Sequence, residues 1–359
     1  MKHYDLIVVG AGPAGSGAAI EAGRRGASVL LIDENDRPGG QLSKQIHKFF
    51  GSQEHHAGTR GFIIGQALLR EAQEAKVEIR LGWRVWGIFP DGSVTAANDT
   101  ESVRFHGALI VLATGASENA LSFPGCTLPG VMTAGAAQTF ANVHHVLPGH
   151  DFVMVGSGNV GLIVTYQLLQ AGANVKAILE AAPKLSGYAV HAGKVRRAGV
   201  PIMLQHTVVR AFGHDALEAV EVAQVDDHFQ PVSGTGSVIP CDTLCLAVGL
   251  TPRIELARAA GCAMVWSGPL GGMIPRHDRH MESGQDRILV AGDLAGIEEA
   301  STALDEGRLA GIRAAFRLGL ISSAEYEELR TQAQERLDRL RQGPFGEKRR
   351  LAKEEVWRA

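Results

Sequence analysis

Two α/β units, each with a parallel sheet flanked by helices, are predicted for this chain from three observations. The glycine-rich turn Gly10-Ala-Gly-Pro-Ala-Gly15 recurs as Gly156-Ser-Gly-Asn-Val-Gly161, 146 residues further on. Each turn follows a short apolar run, residues 6–9 and 152–155. Each is followed by a helix-like stretch and a second apolar run. Strand, Gly-x-Gly-x-x-Gly turn, helix and strand make a βαβ unit whose turn presents free N–H groups to a phosphate. Two such units in one chain point to two dinucleotides.

The first unit reads as a strand over residues 4–9, the turn, a helix over 16–25 and a strand over 26–33. Gly10 permits the tight turn, Gly12 lets the backbone approach a pyrophosphate, and Gly15 lets helix and strand pack closely. Pro13 and Ala14 complete the cradle. Asp33 or Glu34, ending the second strand, is the candidate acceptor for ribose hydroxyls. The second unit reads as a strand over 151–155, a turn cradle of Gly156, Gly158, Asn159, Val160 and Gly161, a helix over 162–170 and a strand over 173–179. A gap-free superposition of the two copies puts Gly172 on Gly26 and Glu180 on Glu34, which makes Glu180 the ribose acid here. The residues after it, Ala181-Ala182-Pro183, offer no Arg for a 2′-phosphate, which favours NAD(H) over NADP(H). A turn that is structural and holds no ligand is the competing reading of this copy.

The bulk numbers exclude other classes. A chain of 359 residues is long enough for two cores. A net charge of -3 leaves no basic excess for nucleic acid or an anionic membrane surface. No apolar run approaches the ~18 residues of a membrane span, and because residues 1–5 run straight into the first strand no signal peptide is expected. Cys126, Cys241, Cys245 and Cys262 form no zinc-ligand or C-x-x-C pattern, so a reduced cytoplasmic location is expected and no metal site. Cys241 and Cys245 stand four residues apart on a predicted strand, over ~13 Å, and read as structural.

The stretch after the first unit, Arg37-Pro-Gly-Gly-Gln41, resembles the flavoprotein disulfide reductases, thioredoxin reductases in particular. Residues 108–115, ending Ala113-Thr114-Gly115, resemble the strand that closes that family's FAD domain, and residues 288–293, ending Gly292-Asp293, resemble its second FAD motif. The resemblance implies FAD in the first unit, held by Gly40, Gln41, Val85, Ala113, Thr114, Gly115, Gly292 and Asp293 besides the turn and its acid, with Asp293 on the ribitol. It also implies that Glu299 and Ala300 open a helix over 301–318 whose N-terminus faces the flavin's pyrimidine end, where reduction places negative charge. Residues 242–252, with Gly249, resemble the strand returning from the NAD domain. The fold expected is therefore of the glutathione/thioredoxin reductase type. Two Rossmann-like three-layer domains are expected: an FAD domain of residues 1–118 and 251–320, and an NAD domain of 119–250 inserted between its halves.

That family carries a redox-active Cys pair, C-x-x-C or C-x4-C, and this chain has neither. Thiol reduction is not expected. Residues 123–138, the Asp33–Gln41 pattern, Ala291–Ile297 and Glu306-Gly307-Arg308 resemble instead the NAD/FAD-binding subunits of hydrogen cyanide synthase, opine oxidase and the dye-linked proline/hydroxyproline dehydrogenases. The resemblance covers roughly residues 4–318. It implies that a further flavoprotein subunit oxidises an amine, an imino acid or a similar small metabolite, and that a [2Fe–2S] centre absent from this sequence belongs to a partner. A homo-oligomer is compatible with this reading. Residues 321–359 read as a charged helix opened by the capping box Ser322-x-x-Glu325, with a break at Gly343-Pro-Phe-Gly346 and a tail. That tail is either solvated or an arm docking a partner.

Residues 47–56 follow the Gly-Gly-Gln turn and, in the family, run past the isoalloxazine ring. His47 is the candidate proton donor there, against the alternative of a polar surface loop. No Ser-His-Asp arrangement stands out. Three functions remain open: hydride transfer between NAD(H) and FAD with electrons passing to or from a partner, a standalone NADH oxidase or small-molecule reductase, and an FAD-binding scaffold with a degenerate second site.

Overall fold

The computed structural model describes residues 1–358. The chain divides into two units. One joins Met1–Ser117 to the chain from Leu250 onward, and the other is Glu118–Gly249.

The first unit is built on a seven-stranded sheet. Its parallel part runs Glu78–Leu81, Val29–Asp33, Lys2–Val9 and Ser102–Leu112, with Ile288–Val290 along the far side of the last of these. Val29–Asp33 is buried at every position, as a strand covered on both faces requires. Ser93–Ala97 and Arg84–Ile88 extend the sheet antiparallel. The Pro13–Arg24 helix begins three residues before the sequence expectation, because Pro13 sits at the first helical position, where no N–H is needed.

That helix lies against the Ala300–Arg317 helix at backbone contact distance. A side-chain carbon at Gly307 would sit 1.9 Å from the Ala14 carbonyl oxygen, and one at Gly311 would sit 2.3 Å from that of Ala18. The Gly307–Gly311 spacing on one face is what lets the two helices approach. Gly307→Ala is expected to force them apart and cost about 1–3 kcal/mol as overpacking, read as a lower midpoint in denaturant unfolding.

The C-terminal region is two helices, Ser323–Leu340 and Gly343–Arg358, rather than one helix and a tail. The Ser322 half of the capping box forms, its Oγ accepting the Glu325 N–H at 3.2 Å. The expected break falls at residues 341–342, and Gly343 to Gly346 form the first turn of the last helix. Both helices pack onto their own unit. Tyr326, Ala333 and Leu337 join the main core, and Ala352 and Val356 pack with Leu270 and Ile274.

The second unit repeats the plan with a five-stranded parallel sheet: Ile202–Leu204, Asn174–Glu180, Asp151–Val155, Thr243–Leu246 and Val131–Thr133. An antiparallel sheet of His206–Phe212, Ala219–Gln224 and Ser237–Pro240 accompanies it. Cys245 lies on the Thr243–Leu246 strand, and Cys241 precedes that strand. Burial pushes the Cys241 thiol up to about 12 and raises that of Cys245 as well, so neither forms a thiolate near neutrality.

Candidate dinucleotide-binding sites

The two glycine turns have the same geometry. Gly10 and Gly156 take φ of +104° and +102°, the left-handed region that a side chain disfavours. Their N–H groups donate to the Ile32 and Leu179 carbonyls, each at 2.7 Å. A carbon added at Gly10 would meet the Ala113 oxygen at 2.3 Å, and one at Gly156 the Ala247 oxygen at 2.2 Å. Gly15 and Gly161 are closed against the Gly10 and Gly156 oxygens in the same way, at 1.7 and 2.1 Å. These four glycines are required by the protein's own packing.

Gly12 and Gly158 are different. Both have ordinary backbone angles, φ −68° and −64°. A side-chain carbon at Gly12 would meet nothing within 4 Å, and one at Gly158 would have only Ser186 Oγ near it, at 3.9 Å. The fold does not use their bareness. Each stands as the N-cap of the helix that follows, with no side-chain cap on that helix's first N–H groups. An open concavity beneath uncapped amides fits a pyrophosphate. Asn159 opens the second helix, its Oδ1 accepting the Tyr188 N–H at 2.8 Å, and Val160 beside it is exposed.

The acids occupy matching places. Asp33 Oδ2 accepts the Ala11 N–H at 2.5 Å, and its Oδ1 accepts the Asn35 N–H at 2.8 Å. Glu180 Oε2 accepts the Ser157 N–H at 3.0 Å, and its Oε1 accepts the Ala182 N–H at 2.9 Å. Asp33 is thus the counterpart of Glu180, and the gap-free pairing of Glu34 with Glu180 is corrected. The second copy carries one extra residue, taken up where the Asn174–Glu180 strand shifts register between Val175 and Ala177. Glu34 turns outward to a half-exposed ion pair with Arg253 at 2.5 Å. Ser157 and Ser186, which the sequence reading did not single out, donate their hydroxyls to Glu180, Ser186 at 3.1 Å. A serine after the first glycine of the turn was the available signal.

Around the first turn the expected residues of the same unit converge. The Gly39 N–H donates to the Ala11 oxygen at 3.0 Å, and a carbon at Gly40 would touch Gly12 Cα at 3.0 Å, so the Gly-Gly-Gln turn leans on the cradle with Gln41 exposed beside it. Ala113 closes the turn from below, Thr114 Oγ1 donates to the Arg253 oxygen at 2.7 Å, and Gly115 accepts the Arg253 N–H at 3.0 Å. Gly292 presses on the cradle helix, where an added carbon would lie 2.7 Å from Ala14 Cβ. Glu299 is the N-cap of the Ala300–Arg317 helix. Val85 packs half-buried on the core at the sheet edge. In the second unit, Gly249 accepts the Asn119 N–H at 3.0 Å.

Asp293 is half-buried, and the loss of solvent around its carboxyl pushes it up to about 6; nearby Glu306, Glu298 and Glu299 add to the rise, against the Glu298 N–H at 3.4 Å. A carboxyl raised in the folded state favours folding while protonated, and that contribution is lost as pH rises from about 4 through 6. A ligand hydroxyl donating to Asp293 favours the ionised form, so binding should release a proton. FAD is expected to bind about ten-fold tighter at pH 7.5 than at pH 5, with the dependence flattened in Asp293→Asn, as read by titration of the apoprotein.

Of the histidines in residues 47–56, the fold builds in His55. Its Nε2 lies 2.7 Å from Asp305 Oδ2 and its Nδ1 lies 2.8 Å from Ser52 Oγ. A Ser-His-Asp chain is therefore present after all, assembled across 250 residues where sequence spacing gives no hint. Arg308 and Arg336 bind the other Asp305 oxygen at 2.9 and 3.0 Å. His47 stacks on Phe49 with ring centroids 5.0 Å apart. Among the described residues no group of His, Cys, Asp and Glu is arranged to hold a metal ion, and no helix is long and apolar enough to cross a membrane.

Known proteins share this arrangement. The sequence profile of the pyridine nucleotide-disulphide oxidoreductases matches residues 4–307. An opine oxidase subunit of Agrobacterium tumefaciens is 32% identical over 349 residues, spanning 89% of this chain and 67% of the relative. The HcnB subunit of hydrogen cyanide synthase from Pseudomonas aeruginosa is 31% identical over 365 residues, spanning 96% and 77%. Thioredoxin reductase of Lactococcus lactis has the same fold, with a TM-score of 0.71 at 19% identity over 89% of this chain and 100% of that one. With two nucleotide cradles of one geometry and these similarities, the chain belongs to the pyridine nucleotide-disulphide oxidoreductase family of FAD- and pyridine-nucleotide-dependent enzymes.

Proposed function

We propose that this protein is the electron-relay component of a multisubunit oxidoreductase, with FAD in the first cradle and NAD(H) in the second. The observation that carries the reading is the pair of open positions at Gly12 and Gly158, in turns otherwise closed by their own packing. Bound in the first cradle, a flavin supplies hydride exchange with nicotinamide and electron exchange with a partner. The residues present fit it. The uncapped amides after Gly12 meet the pyrophosphate, Asp33 the adenosine ribose and Asp293 the ribitol hydroxyls. The N-terminus of the Ala300–Arg317 helix stabilises negative charge at the ring's pyrimidine end.

In the second cradle, Glu180 is the ribose acceptor. Its carboxylate is held by Ser157, Ser186 and Ala182; an acid in this role accepts from ribose hydroxyls and repels a 2′-phosphate, which supports NAD(H) over NADP(H). The absence of a Cys pair leaves no internal disulfide to take electrons, and the printed names of two relatives are those of subunits. Together these support an exit in another polypeptide, a flavoprotein or an iron–sulfur protein that acts on an amine, imino acid or similar metabolite. The test is reoxidation of the NADH-reduced protein. Slow reoxidation in air with fast transfer to the partner polypeptide is expected. Fast reoxidation in air alone, without a partner, would make the protein a standalone oxidase.

A further inference from the structure

Two buried cations, Arg341 at the C-cap of the Ser323–Leu340 helix and Lys353 on the Gly343–Arg358 helix, reach the Gly292–Ala295 turn. Arg341 and Lys353 are 1% and 0% exposed, and Glu306, which both bind, is 2% exposed. Arg341 Nη2 lies 2.6 Å and Lys353 Nζ 2.7 Å from Glu306 Oε1. The other oxygen of that carboxylate, Oε2, accepts the Gly292 N–H at 3.1 Å. Lys353 Nζ also donates to the Ala295 carbonyl at 3.0 Å, at the far end of the same turn. Arg341 forks onto Glu298, Nη2 to Oε1 at 2.6 Å and Nε to Oε2 at 3.0 Å, and the Glu298 N–H is the one facing Asp293. Both ends of the Gly292–Ala295 turn, and the segment facing its acid, are thereby tied to the C-terminal helices. Two carboxylates and two cations balance in charge, which is what allows the group to be buried; removing one cation leaves an uncompensated buried carboxylate beside the turn.

We infer that Arg341 and Lys353 are positioning residues for FAD: acting through Glu306 and the Ala295 carbonyl, they hold the Gly292–Ala295 turn in its ligand-binding form. The segment that reads as a tail in sequence thus works in cis on the cofactor site. This rests on FAD occupying the first cradle.

The test is FAD titration of apoprotein, followed by flavin fluorescence, for the full chain and for Lys353→Met and Lys353→Arg. Lys353→Met is expected to weaken FAD at least ten-fold and, by leaving a buried carboxylate unpaired, to lower the apoprotein's unfolding midpoint, and Lys353→Arg to restore FAD affinity to within three-fold. FAD affinity within two-fold of the unaltered protein in Lys353→Met would overturn the inference, as would an arginine variant no better than the methionine one. Where Lys353→Met does not fold, the charge-balanced pair Glu306→Gln with Lys353→Met is titrated against the same limits. Failure of the unaltered protein itself to bind FAD would overturn the reading of the cradle instead.

Discussion

Gly12→Val is expected to give a folded protein that has lost FAD, with affinity lowered by about a hundred-fold or more, roughly 2.7 kcal/mol. The size of the effect follows from the local geometry. A carbon at this position meets no protein atom within 4 Å, and its φ of −68° suits any residue, so the polypeptide has no objection to a side chain there. On the proposed reading, the space that valine would fill is the space through which a pyrophosphate would approach the amides of the Pro13–Arg24 helix. Gly10→Val and Gly15→Val serve as contrasts. Their side chains would start 2.3 and 1.7 Å from backbone oxygens, so these variants should lose the fold along with the ligand. Titration of apoprotein with FAD, beside thermal unfolding, separates the two kinds of glycine. Unchanged FAD affinity in Gly12→Val would mean that the pyrophosphate does not lie on this turn.

Gly158→Val should have an equally large effect on a different readout. Its neighbourhood is as open as that of Gly12, with Ser186 Oγ at 3.9 Å the nearest atom. FAD content and visible spectrum should be unchanged, because every residue assigned to FAD lies in the other unit. The rate of flavin reduction by NADH, taken as an apparent second-order constant, should fall about a hundred-fold. Stopped-flow reduction under anaerobic conditions measures it. A rate equal to that of the unaltered protein would assign the second turn a structural role only.

Much of this architecture is legible in the sequence because it is local. Strand, turn and helix follow one another within some twenty-five residues, and the glycine pattern reports both the φ of Gly10 and Gly156 and the close helix packing. What the sequence hides is set by other parts of the chain. The pairing of Asp33 with Glu180 depends on the register shift between Val175 and Ala177, which leaves no mark in composition. His55 is distinguished from His47 by Asp305, on a helix far along the chain. Arg341 and Lys353 look like solvated charges in a sequence window rich in Lys, Arg and Glu. Their burial follows from Glu298 and Glu306, which precede them by 43 and 35 residues at Arg341. Gly307 stands in sequence only as part of the Glu306-Gly307-Arg308 pattern and Gly311 only as a helix residue, and their purpose emerges from the carbonyls of Ala14 and Ala18 opposite.

The missing Cys pair gives the two cradles their meaning. In a family named for disulphide chemistry, this chain carries no C-x-x-C or C-x4-C pair, and the proposed relay hands its electrons to another polypeptide instead. The measurement that tests the relay most directly is an anaerobic titration of the purified flavoprotein with NADH, followed through the flavin's visible absorbance. One equivalent of NADH per flavin should bleach the band, and NADPH should do so far more slowly. A flavin that stays oxidised with excess of either nucleotide would contradict the account.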